Sequence, residues 1–227
     1  MQVLYEDNHI IAVSKTVNEL VQGDKTGDKC LIDSVKEYIK NKYEKSGDVF
    51  VGLPHRLDRP TSGIVVFART SKALARLNAM FATKEVKKTY WAITSSIPEK
   101  SSGELRNYLI RNEKLNKSFI SQEGTKDSKL AILDYEIIAH TDRYHLWQIN
   151  LQTGRHHQIR CQLAAINCPV KGDLKYGFSR SNPDGGICLH ARRIQFVHPV
   201  SKIDIDIVAP VPDDNLWKAC ESAIKKD

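Results

Sequence analysis

A chain of 227 residues, 41% hydrophobic and 27% charged, has enough apolar material for a substantial core, which excludes a disordered protein. Its net charge of +7 favours a polyanionic partner, because contacts to phosphate release counterions. The five cysteines are widely spaced with no CxxC, so neither a disulfide framework nor a zinc ligand set is expected, and a reducing cytoplasm fits. The start, Met1 to Asp7, lacks the basic and then apolar run of a secretion signal, and no apolar stretch reaches the length of a membrane span. The reading is one soluble cytoplasmic domain over 1–227.

In chain order, two short strands flank an Asp7-Asn8 turn, the second being His9 to Ser14. Leu31, Val35, Tyr38 and Ile39 have helical spacing, with Asp28 or Lys29 near the start of that helix. Lys45-Ser46-Gly47-Asp48 breaks the pattern. Gly63 to Ala68 reads as a buried strand, followed by a helix from Ser71 with Leu74, Leu77 and Phe81 on one face, and then a strand from Lys88 to Thr94. Ser101 to Ser128 is polar and reads as loops and weak strands. Two firm strands follow, Ala131 to Ala139 and His145 to Gln152, and Ile203, Ile205 and Ile207 alternate with Asp204 and Asp206 near the end. The fold class is α+β, a largely antiparallel mixed β-sheet flanked by helices.

Two segments carry chemistry. In Pro54-His55-Arg56-Leu57-Asp58-Arg59-Pro60-Thr61-Ser62-Gly63, prolines restrict the backbone and two arginines keep Asp58 ionised. Taken alone, an aspartate in such a loop more often caps local amides. In Thr153-Gly154-Arg155-His156-His157-Gln158-Ile159-Arg160, Thr153 is placed to cap a helix whose Ile159, Leu163 and Ile166 form an apolar face before Cys168-Pro169 ends it. Arg155 and Arg160 flank that face at opposite margins. For such arginines, a solvated surface role and a reach toward a half-buried carboxylate both stand open.

Together these segments resemble the RluA-type RNA pseudouridine synthases. His55 to Gly63 matches the family pattern HRLD, two variable residues and TSG, and Thr153 to Arg160 matches TGR-x-HQIR. Shorter echoes are Leu4-Tyr5-Glu6-Asp7, Lys88-Thr89-Tyr90-Trp91-Ala92, Gly172-Asp173 with Tyr176-Gly177, Leu189-His190-Ala191, and Phe196 with His198-Pro199. The resemblance runs almost end to end. It implies a pseudouridine synthase catalytic domain with a central RNA-binding cleft, starting directly without the S4 domain that many relatives carry.

By this resemblance Asp58 is the nucleophile, and Arg56 enters the RNA helix in place of the flipped uridine. Tyr90 packs on the base and assists proton removal, and Arg160 pairs with Asp58. His55 and Arg155 join Arg56 as RNA-binding residues. The expected substrate is a uridine in ribosomal or transfer RNA. No nucleotide cofactor, metal or membrane is expected, and the chain is expected to act as a monomer. Thr16, where many members have proline, and Gln162, where histidine is common, depart from the pattern and put loop shape and RNA contacts in question. The alternatives are a catalytically silent RNA-binding protein of the same fold and a glycosidic-bond hydrolase. Hydrolases of that kind usually need two carboxylates, and the long motifs supply one.

Overall fold

The structure, a computed structural model, describes residues 1–23 and 29–224. In chain order the elements are β1 (Gln2–Glu6), β2 (Ile10–Lys15), α1 (Leu31–Lys42), β3 (Ser62–Ala68), α2 (Ser71–Ala82), β4 (Lys87–Thr94), β5 (Ser102–Asn112), β6 (Lys117–Ser121) and β7 (Lys129–His140). Then come β8 (His145–Leu151), α3 (Gln158–Ala165), a single 3₁₀ turn (Leu174–Tyr176), β9 (Leu189–Val197), β10 (Asp204–Val208) and α4 (Asn215–Ser222). The α+β class with mostly antiparallel pairing holds. By its internal packing the chain forms two compact units, Met1–Val86 with Ala191–Pro210, and Lys87–His190 with Val211–Asp227.

In the first unit, the Asp7 carboxylate accepts the amides of His9 and Ile10 at 2.7 and 2.8 Å, which fixes the turn between β1 and β2. β2 pairs antiparallel with β3 from Ile10 opposite Ala68 to Lys15 opposite Gly63. Every residue of β3 is buried, as a continuous apolar run requires when both faces of a strand are covered. Thr70 caps α2 by accepting the Ala73 amide at 3.1 Å. Leu77 is wholly buried, with Leu74 and Phe81 partly buried beside it, and the core joins Ile10, Ile64, Val66, Phe196 and Ile205. For α1 the cap is Cys30 in an extended conformation, while the alternative start at Asp28 lies outside the described residues. In β10, Ile205 and Ile207 are buried, and Ile203 falls outside the strand and is exposed.

The second unit is an antiparallel array in which β8 pairs with β4 and β7, and β5 pairs with β7 and β6. Trp147 is fully buried at its centre and donates its indole N–H to the Thr94 hydroxyl at 2.7 Å, so a large apolar group enters the core with its polar atom satisfied. Two expectations need correction here. The polar segment read as loops and weak strands contains the 11-residue strand β5, held by eight register positions against β7. Pairing outweighs its weak local preference, since strand propensity follows packing context. Gln162, fully buried, reinforces this by donating to the Leu105 carbonyl at 3.1 Å and the Asn107 side chain at 2.8 Å. That family departure is therefore an internal tie. The other correction is Thr153, which caps nothing. Its hydroxyl accepts the Ile132 amide at 2.8 Å and meets Gln158 Oε1 at 2.8 Å, and α3 begins at Gln158. Helix α4 was not anticipated, although Asp214 caps it by accepting the amides of Leu216 and Trp217 and Trp217 and Cys220 pack on the core.

Candidate active site

In the first unit, the Asp58 loop is pinned to the sheet through its main chain and the His55 side chain. At its entry, Gly52 exchanges two backbone hydrogen bonds with Ala68 at 2.8 and 2.9 Å. A Cβ on Gly52 would lie 2.6 Å from Leu74 Cδ2, so any larger residue there would have to displace the Leu74 side chain of α2. His55 Nε2 accepts the Val66 amide of β3 at 2.9 Å, and its ring stacks on Phe81 with centroids 4.8 Å apart. Because Nε2 accepts, this histidine is neutral with its proton on Nδ1. Leu57 is buried, and the Asp58 carbonyl accepts the Thr61 amide at 3.0 Å to close a turn.

At the loop exit lies Lys15, whose side chain is almost entirely buried. Its ammonium donates to the carbonyls of Thr16 at 2.9 Å, Arg59 at 2.9 Å and Thr61 at 2.6 Å. Burial pulls its pKa down to about 8, opposed by the negative charges of Glu19 and Asp58 and aided by Arg59. Lys15 thus clamps both sides of Pro60 and sets a positive charge near the Asp58 carboxylate. Asn18 adds its amide to the Arg59 carbonyl at 2.9 Å. Beyond the clamp, Gly63 has φ of +113°, and a Cβ there would meet the Ala191 carbonyl oxygen at 2.4 Å, which no side chain can accommodate. This scaffold leaves Asp58 half-buried and Arg56 exposed. Thr16, the other family departure, is tied through its amide and hydroxyl to Glu19, each at 2.7 Å.

In the second unit, Tyr90 lies on β4 opposite Ile149, half-buried and packed against the core. Lys88 shares its face two residues earlier, with its pKa lowered by burial; a Cβ on Gly154 would stand 3.2 Å from its Nζ. Arg155 is exposed and donates to the Leu130 carbonyl at 2.9 Å. Arg160, placed by sequence at a helix margin, is buried instead. Its Nε and one terminal nitrogen grip both oxygens of Asp173 at 2.6 and 2.9 Å, and Asp173 is itself buried. His157 takes the left-handed conformation, φ 52°, which turns its ring to meet the Tyr176 hydroxyl at 3.1 Å.

The structure gathers His55, Arg56 and Asp58 on one braced loop of the first unit, and Arg155 and Arg160 at the start of α3 in the second, with Tyr90 on a strand of that second unit. Sequence reading passed over Lys15, Asp173 and Tyr176. The last two were visible only as the echo Gly172-Asp173 with Tyr176-Gly177, and Lys15 only as the neighbour of Thr16. All five cysteines are free and buried. No group of three or more metal-ligating side chains gathers among the described residues, nor is any described helix long and apolar enough to cross a membrane.

The braced loop thus sets one carboxylate between two arginines, in a mostly antiparallel α+β fold. The family described as RNA pseudouridylate synthase matches residues 9–165, a span that takes in parts of both units. The tRNA pseudouridine synthase C of Vibrio vulnificus (strain CMCP6) is 32% identical over 241 residues, covering 96% of this chain and 93% of that protein. The ribosomal large subunit pseudouridine synthase C of Rickettsia felis (strain ATCC VR-1525 / URRWXCal2) is 33% identical over 214 residues, covering 92% and 67%. Among solved structures, human RNA pseudouridylate synthase domain containing 4 superposes with a TM-score of 0.80 at 22% identity, over 98% of this chain and 92% of that one; this likeness bears on the fold alone. The chain belongs to the RluA-type RNA pseudouridine synthases, isomerases that convert uridine within RNA to pseudouridine.

Proposed function

We propose that this enzyme isomerises specific uridines in structured ribosomal or transfer RNA, with Asp58 as the attacking carboxylate. The observation that carries the reading is the loop bearing Asp58, pinned at Gly52, His55 and the Lys15 clamp. Such bracing holds a reacting group in place before substrate arrives. In the reaction the bond from ribose C1′ to uracil N1 breaks and a bond from C1′ to C5 forms. The C5 proton departs and N1 gains one, so no net electrons or water are consumed. Asp58 attacks C1′ or C6, or removes a sugar proton.

The target base must first leave its stack, at a cost of about a few kcal/mol. Arg56, long, planar and exposed, is suited to fill the gap and to meet phosphates. Tyr90 offers an aromatic face to the uracil. The resemblance to the family supports Arg160 as the residue that orients Asp58, and Arg155 as an RNA contact. His55 contributes by holding the loop. The family match across parts of both units supports a single catalytic domain, which the proposal takes to act in the cytoplasm as a monomer. The relatives' names divide between transfer and ribosomal RNA, so either class fits.

The test uses RNA carrying tritium at uridine C5. Tritium release without free uracil is the expected result. Free uracil that keeps its tritium would make the protein a hydrolase, and binding with neither product a silent RNA binder. Pseudouridine mapping of cellular RNA with and without the gene then identifies the target.

A further inference from the structure

In the second unit, Arg160 is held by two residues of one short turn. Asp173 takes its edge through the bidentate pair at 2.6 and 2.9 Å. Tyr176 offers its ring to the cation, with the guanidinium carbon 5.1 Å from the ring centroid. The turn fixes the two relative to each other, because the Asp173 carbonyl accepts the amides of Tyr176 and Phe178 at 3.1 and 3.0 Å. Tyr176 is anchored in turn at its hydroxyl, which accepts the Ser118 amide at 2.8 Å and donates to the Ser118 carbonyl at 3.1 Å. Its one proton is thereby used, so His157 Nδ1, 3.1 Å away, must be the donor in that contact. Burial, with Arg160 beside it, holds His157 neutral, its pKa near 2. Ser118 lies on β6 and also meets His156 through its hydroxyl, at Nδ1 (2.9 Å) and at the carbonyl oxygen (2.7 Å). A continuous path of short contacts therefore runs from β6 through Tyr176 to the guanidinium.

We propose that Asp173 and Tyr176 are positioning residues that set the plane of the Arg160 guanidinium for the isomerisation, and that Tyr176 makes this setting depend on the docking of β6. The proposal rests on the reading that Arg160 serves the reaction. A free arginine side chain carries substantial rotamer entropy. Fixing it before substrate binds removes that cost from the reacting complex. A buried ion pair is by itself a poor source of stability, because desolvation offsets the attraction. The bidentate geometry instead fixes direction, which a positioning role requires.

The experiment measures kcat, KM and melting temperature on one RNA substrate for Arg160→Ala, Asp173→Asn, the double variant and Tyr176→Phe. Asp173→Asn is expected to lower kcat by about a hundredfold, the scale of a misplaced reacting group, with KM within about threefold. The double variant is expected to be no slower than Arg160→Ala, since residues acting as one unit are not additive. Tyr176→Phe keeps the ring but loses the hydroxyl ties, so kcat is expected to fall about tenfold while the Ser118 amide exchanges faster. Losses that multiply in the double variant, or unchanged kcat in folded Asp173→Asn, would overturn the proposal. Should Asp173→Asn not fold, folded Tyr176→Phe decides alone, and wild-type kcat there overturns it. Wild-type turnover in Arg160→Ala would remove the underlying reading of Arg160 as well, so the two failures are distinct.

Discussion

In the first unit, the segment from Gly52 to Ser62 is fixed chiefly through its backbone carbonyls, which accept from Lys15, with the His55 side chain accepting an amide of the neighbouring strand. In the second unit, Arg160 is fixed through its side chain, by the Asp173 carboxylate and beside the Tyr176 ring. The Lys15 clamp brings a cation to neutral acceptors, so burial lowers its pKa. The Arg160 site matches charge with charge. Holding the backbone leaves the side chains of Arg56 and Asp58 exposed and half-buried. Holding the side chain suits a group whose charge must face one way in a dry setting.

The comparison can be broken from the backbone side first. Gly63→Ala combines a left-handed φ with a contact of 2.4 Å to backbone, so a stability loss above about 4 kcal/mol is expected; a melting temperature within a few degrees of wild type would contradict the strand geometry. Lys15→Met strips three carbonyls of their donor, and a loss of about 3 kcal/mol is expected in denaturant titration. Arg56→Ala should leave stability within about 0.5 kcal/mol and slow base capture more than it weakens RNA binding, as read by 2-aminopurine fluorescence at the target. Collapse of affinity with unchanged turnover per complex would end the base-flipping role.

The smallest effect sharpens the contrast through pH. The Lys15 pKa drops to about 8 in the folded protein, from 10.5. Between those values the unfolded chain binds the extra proton, so folding stability rises with pH. The penalty is full below pH 8 and relieved toward pH 10.5. The stability gap between wild type and Lys15→Met is therefore expected to widen across that window, by at most about 3 kcal/mol. A flat gap would mean that the ammonium is not desolvated as the geometry requires.

Strand and helix positions were legible wherever burial imposes a period: β3, α2, β7 and β8 sit close to where apolar spacing puts them. β5 was not, because its support comes from β7 and from Gln162, which lies about 57 residues away along the chain. Thr153 was misread as a cap because its local pattern fits one, whereas its hydroxyl is engaged by Ile132 of β7. Asp58 and Arg56 stood in a contiguous motif. Lys15, Asp173 and Tyr176 act across long sequence separations, on Thr61, Arg160 and Ser118, and only the folded chain brings such pairs together.

In the proposed mechanism one carboxylate, at position 58, carries the chemistry. Single-turnover conversion of C5-tritiated RNA by Asp58→Asn, with RNA affinity measured on the same preparation, tests it most directly. The expected result is no tritium release while affinity stays within several-fold of wild type. Release at a rate near that of the unaltered enzyme would contradict it.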